Sequence, residues 1–192
     1  LAGFGSRTKP SEGTATELHA KALALQDSRG TRLVIVTTDL IGIPRPLRDR
    51  VEARVKERFK LPSASLLMNA SHTHCGPELK MTKTALEELS EERQKLTVEY
   101  CRRLENALVK LVGDVLADCT PARLSYSHAR AGFAMNRRLK NPDPDGEPYL
   151  NHPNPDGPVD HDVPVLQVTW KDPVRRAILF GYACHNTTLY VN

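Results

Sequence analysis

Leu33-Val34-Ile35-Val36-Thr37-Thr38-Asp39, then the run from Pro44 to Phe59, then Ser65-Leu66-Leu67-Met68-Asn69-Ala70: the order of these three stretches decides the fold class. The first is β-branched and continuously apolar, the pattern of a strand covered on both faces. In the second, Leu47, Val51, Val55 and Phe59 recur every four residues, with Asp, Arg, Glu and Lys between them. That spacing puts one apolar stripe on a helix. Pro44 and Pro46 stand at its start, where a proline costs no hydrogen bond, and Leu61-Pro62 ends it. The third stretch reads as a short strand. Strand, helix, strand is the unit that builds a parallel pair, because parallel neighbours need a long crossover.

Thr84–Asp118 carries the longest helical pattern, with Leu86, Leu89, Leu96, Tyr100, Leu104, Leu108, Leu111 and Val115 as its stripe. It is long for a globular helix, so a break is expected near Ser90 or Gly113. Arg123–Ala129 alternates and reads as a half-exposed strand. Val165–Trp170 and Ala177–Ala183 read as two strands of a hairpin joined through Lys171–Arg176. Leu139–Asp162 holds six of the 14 prolines and two Asp-Gly pairs, so a long irregular loop is expected there. The fold class is α/β, with α+β as the alternative: a mixed β-sheet core flanked by α-helices.

The 192 residues suffice for one domain with a real core. At 40% hydrophobic and 26% charged, the composition excludes fibrous and disordered chains. Apolar runs such as Leu33–Val36 fall far short of the roughly 20 residues of a membrane-spanning helix. The net charge of +4 is spread over 27 basic and 23 acidic residues. Acids interleave with the Arg and Lys of 45–60 and 102–110, which argues for solvated helix faces and against a phosphate-tracking surface. Nucleic acid is thereby set aside, and an anionic lipid surface stays open. The four cysteines form no C-x-x-C pair, and Cys101 lies within the helical pattern as a core residue. The chain starts on Leu1 with no charged or apolar leader pattern and stops on Asn192 just after a strand. It therefore reads as residues 1–192 of a partial domain, truncated at both ends.

Chemistry-bearing residues gather just past the apolar stretches. His72 and His74 follow the strand that ends near Ala70. If strand geometry continues, positions i and i+2 face one side, so both imidazoles enter one space and can share a metal or a substrate. Gly76-Pro77 then turns the chain away. His185 follows the second hairpin strand, and a catalytic zinc usually takes three protein ligands and keeps one position open. Asn136-Arg137-Arg138 offers a loop guanidinium suited to a carboxylate or carbonyl oxygen. His152 and Asp160-His161-Asp162 look like ligand clusters but sit in the Pro- and Asp-rich loop, where solvated turn residues are the default. His19 and His128 receive no role.

Taken in order, these pieces resemble the N-terminal catalytic domain of the neutral/alkaline, non-lysosomal ceramidase family. The resemblance runs through Gly3-Phe4-Gly5, Leu18-His19-Ala20-Lys21-Ala22 and the strand ending in Asp39. It continues through Ser71-His72-Thr73-His74-Cys75-Gly76-Pro77, Asn136-Arg137, Val159-Asp160-His161-Asp162 and Ala183-Cys184-His185. It implies a ceramidase-like mixed α/β fold and one catalytic Zn²⁺, with His72 and His185 as ligands. It implies His74 as a catalytic residue beside the metal, Arg137 as a catalytic residue lining the site, and Asn136 as a substrate-binding neighbour. It further implies that a Glu, a Tyr and a serine nucleophile come from beyond Asn192. The activity implied is hydrolysis of the amide bond of ceramide or a related N-acyl lipid. The family is often secreted or membrane-associated.

Two rival readings accompany this one. One is a ceramidase-like domain without catalysis, serving as a binding or structural module. The other is a metal hydrolase of a different amide or ester. It draws on Arg138, where the family usually has a small residue, and on the Gly76-Pro77-Glu78-Leu79 continuation.

Overall fold

The computed structural model describes residues 1–4, 7, 9, 11–172 and 174–186. Gly5 of the Gly3-Phe4-Gly5 motif and Pro173 of the Lys171–Arg176 connection lie outside the described residues. The chain divides into two compact units, one comprising Leu1–Cys119 and the other Thr120–Thr188.

The first unit is built on β1 (Ala20–Gln26), β2 (Arg32–Thr38) and β3 (Leu66–Ala70) in the order β1-β2-β3. β2 runs parallel to β3, with Val34 opposite Leu66 and Thr38 opposite Ala70. Helix α1 (Arg45–Phe59) makes the crossover, as the strand–helix–strand order requires. β1 is antiparallel to β2, so the sheet is mixed. β1 is absent from the sequence reading. Its Ala-Lys-Ala-Leu-Ala-Leu-Gln is made of helix formers, and pairing along the whole of β2 overrides that preference.

Both proline signals of α1 hold: Pro44 precedes the first turn and Pro46 lies within it. The helix stops at Lys60, in the left-handed conformation at φ 54°, whose N–H donates to the Lys56 carbonyl. The long helical pattern breaks at the first expected point. It forms α2 (Lys83–Glu87) and α3 (Glu91–Ala117), with Ser90 at the start of α3 and Glu91 and Glu92 in its first turn. Acidic residues there suit the positive end of the helix dipole. Gly113 continues within α3.

The core of this unit is Val34 and Val36 of β2, Leu47, Val51 and Val55 of α1, and Leu108, Val109 and Val112 of α3, closed by Leu61 and Leu66. The buried stripe of α3 departs from the sequence reading. It comprises Cys101, Leu108, Val109 and Val112, whereas Leu96 is 64% exposed. A 27-residue helix is about 40 Å long. A seven-residue strand covers only about 23 Å, so the first turns of α3 overhang the sheet.

The second unit has an antiparallel sheet in the order β4-β7-β8: β4 (Ala122–Arg130), β7 (Asp162–Trp170) and β8 (Arg176–Phe180). The expected hairpin is β7–β8. The expected irregular loop holds a two-stranded ladder, β5 (Leu139–Lys140) with β6 (Tyr149–Leu150). β4 is exposed along its whole length rather than on one face, and β8 ends at Phe180, short of Ala183. The mixed α/β character expected from the sequence holds, but in separate sheets, with the helices in the first unit. None of the described helices is long and apolar enough to cross a membrane.

Candidate metal centre

Parallel pairing of β2 and β3 brings the chain leaving β3 beside the chain leaving β2. The N–H of Ser71 still donates to the Thr38 carbonyl at 2.9 Å, one step beyond the ladder. At His72 the ladder ends, because its φ is +61°. A left-handed conformation at a residue with a Cβ costs about 1–2 kcal/mol and persists only where the surroundings hold it.

Here the hold is visible. Nδ1 of His72 lies 2.6 Å from the carbonyl oxygen of Ile41, just past the end of β2. A carbonyl can only accept, so Nδ1 carries a hydrogen, and in the neutral ring the acceptor atom is then Nε2. This is the arrangement by which a backbone carbonyl fixes the tautomer of a ligating imidazole.

His74 is half-buried beside it. The two rings stand edge to face, centroids 5.1 Å apart at 76°, and a ligand nitrogen of each lies within 4.8 Å of the other. The two imidazoles thus share one space as expected, but for a different reason. They meet across a turn after β3, with His72 in the left-handed region, rather than as same-face neighbours of a continuing strand. The N–H of Cys75 donates to Thr73 Oγ1 at 3.3 Å within this turn. Gly76 is buried where the chain turns away. His19 is a backbone element: its N–H donates to Asp39 Oδ2 at 2.9 Å and its carbonyl accepts from the Asp39 N–H.

In the second unit, Asn136 and Arg137 sit on the segment between β4 and β5, both half-buried. The Asn136 carboxamide is engaged at both ends. It donates to the Pro158 carbonyl at 2.9 Å and accepts the Arg138 N–H at 2.9 Å, while its own carbonyl accepts the Asn154 N–H at 2.8 Å. It braces the loop that carries Arg137. Among the described residues, the Arg137 guanidinium takes part in no hydrogen bond or ion pair.

His185 is half-buried and stands five residues past the end of β8, not at a strand end as expected. Its segment is tied down by Tyr182. The hydroxyl donates to the Ala131 carbonyl at 2.8 Å and accepts the Ala134 N–H at 3.0 Å, and the ring meets Phe133 edge to face. Tyr182 therefore links the segment leading to His185 with the segment leading to Arg137. Among the other loop residues, Asp162 accepts from His128 Nδ1 at 2.9 Å, and Asp160 accepts the Asp162 N–H at 2.9 Å.

The family model "Neutral/alkaline non-lysosomal ceramidase, N-terminal" matches residues 1–192. The chain belongs to this family. Among solved structures, a ceramidase complexed with C2 is similar to this family member at TM-score 0.63 and 25% identity, over 88% of this chain and 26% of that one. The neutral ceramidase from Pseudomonas aeruginosa is similar in fold at TM-score 0.60 and 24% identity, again over 88% and 26%. This ceramidase-family chain thus spans about a quarter of the length of the solved chains it matches. No curated protein sequence matches it.

Four contributors carry no signal of their own in the sequence. The Ile41 acceptor is a backbone carbonyl, which every residue has. Tyr182 looks like an ordinary strand aromatic. Phe4 and Arg7, which contact the His74 segment, lie far from it in sequence, and only the Gly3-Phe4-Gly5 resemblance points there.

Proposed function

We propose that this chain is part of the catalytic domain of a zinc-dependent hydrolase of neutral ceramidase type, which cleaves the amide bond of ceramide or a related N-acyl lipid. In this reading, residues 1–192 form one partial domain, His72 and His185 are zinc ligands, and His74 and Arg137 are catalytic. Family membership supports the reaction class. The observation that carries the metal assignment is the His72 Nδ1–Ile41 bond, which leaves Nε2 as a ligand atom beside a second imidazole. Neutral imidazole is a good zinc ligand.

When bound, the ion supplies Lewis-acid polarisation of the amide carbonyl and lowers the pKa of water. The chain's own residues do the rest. His74 donates a hydrogen bond to the carbonyl oxygen as negative charge develops there. Arg137, with no protein partner among the described residues, offers its guanidinium to an oxygen of the substrate. Asn136 contributes to substrate binding by bracing the loop on which Arg137 sits.

The test uses the full-length protein. Zinc is measured by elemental analysis and hydrolysis of an N-acyl sphingoid base by product release. His72→Ala and His185→Ala are each expected to lower the zinc content and abolish turnover. Zinc stoichiometry unchanged in both would remove the metal assignment. Full zinc with no release from any N-acyl lipid would leave the hydrolase without its proposed substrate.

A further inference from the structure

The N-terminal segment is wrapped around one imidazole. The N–H of Ala2 donates to the Gly76 carbonyl at 2.9 Å, and Ala2 itself is buried. Gly3 follows at φ +99°, a conformation side chains rarely adopt, and a Cβ on it would clash with the His74 ring. The backbone thus lies flat against the imidazole because no side chain intervenes. Phe4 meets the same ring edge to face, with centroids 4.6 Å apart. The Arg7 guanidinium sits over the Phe4 ring at 4.7 Å, and its Nη1 donates to the carbonyls of Ala2 and His74.

His74 is therefore bounded by Gly3 backbone, by the Phe4 ring, and by His72 with centroids 5.1 Å away. Its own carbonyl is pinned by Arg7. Gly3, Phe4 and Arg7 thus converge on one ring and on its carbonyl. We propose that Gly3, Phe4 and Arg7 are positioning residues that hold the His74 ring in its working orientation. Gly3 provides the room, Phe4 the ring contact, and Arg7 the clasp that joins both ends of the segment to the His74 turn.

This rests on the catalytic role of His74 proposed above. A displacement of about 1 Å in a group that contacts the reacting atoms can cost on the order of a hundredfold in rate. Loss of the Phe4 contact should thus appear in kcat, since it moves a group that acts as charge develops on the reacting carbonyl.

The experiment compares His74→Ala, Phe4→Leu, Phe4→Tyr and Gly3→Ala in the full-length protein. It reads kcat and KM on an N-acyl lipid, zinc content, and the NMR signal of the His74 Cε1–H in histidine-labelled protein. Phe4→Leu is expected to lower kcat by about tenfold or more, with KM and zinc within about twofold of the parent. It is also expected to shift the His74 signal, because a ring current is removed. Phe4→Tyr keeps the ring and should restore both readouts. Gly3→Ala should match or exceed Phe4→Leu. If it does not fold, Phe4→Leu and Phe4→Tyr decide the matter alone.

Parent-like kcat and an unmoved His74 signal in Phe4→Leu, with His74→Ala inactive, would overturn positioning and leave the catalytic reading intact. Loss of kcat in step with zinc or folded protein, uncorrected in Phe4→Tyr, would mark a merely structural role and also overturn it. Parent-like turnover in His74→Ala would remove the catalytic reading, and the positioning role with it.

Discussion

A single backbone oxygen sets much of what His72 can do. Because Ile41 offers only an acceptor, the imidazole carries a hydrogen on Nδ1, and the backbone at His72 is left-handed at φ +61°. Two other residues yield tests at the same scale. Burial pushes the Cys101 thiol above its usual pKa, so little thiolate exists near neutral pH. Cys75 and Cys119 are exposed. Timed iodoacetamide labelling followed by peptide mass analysis should modify Cys75 and Cys119 well before Cys101. At the turn between β1 and β2, the Asp27 carboxylate accepts the N–H groups of Thr31 and Arg29, which hold its pKa below the ordinary carboxylate range. A carboxyl depressed in the folded state stabilises above its unfolded pKa, and that stability is lost as pH falls through the folded value. Asp27→Asn should therefore lose less stability than the parent in urea titrations between about pH 5 and pH 2. An unchanged pH dependence would show that this turn contributes nothing to acid unfolding.

At the scale of elements, α1 was legible because its punctuation is local. Prolines open it, Leu61-Pro62 follows it, and its four-residue spacing names Leu47, Val51 and Val55, all buried. α3 was legible in extent and in its break at Ser90, but not in which side is covered. The sequence stripe includes Leu96, yet only residues from Cys101 onward are buried, because the strands it packs on are shorter than the helix. Leu108→Ala should thus cost about 2–5 kcal/mol in chemical denaturation, as expected for a truncated core leucine. Leu96→Ala should stay within about 0.5 kcal/mol of the parent. Equal costs for the two would contradict the buried face assigned to α3. β1 was not legible at all. Its Ala and Leu residues favour helix, and only the seven paired positions along β2 make it a strand.

At the scale of the whole molecule, the two units differ in how much they bury. The first closes a core between sheet and helices, while in the second only Ala134 and Val168 are buried among the described residues. Amide exchange followed by mass spectrometry should reflect this within each unit. In the first, the central strand β2 should be the slowest region, since Val34 and Val36 are fully covered. In the second, the central strand β7 should exchange more slowly than the fully exposed edge strand β4. Faster exchange in β7 than in β4 would contradict the β4-β7-β8 order.

The sequence by itself determined the strand–helix–strand unit, the break at Ser90, the β7–β8 hairpin, the family, and the identity of the histidines past β3 and β8. Each of these is written in residue type and short-range spacing, which the chain carries without folding. Only the tertiary structure decided that β1 is a strand, that the early turns of α3 stay exposed, and that His72 and His74 meet across a turn. It alone placed the Ile41 carbonyl on His72, and Gly3, Phe4 and Arg7 against His74. These depend on contacts between groups far apart in sequence, made by backbone atoms common to every residue or by packing that only a finished sheet provides.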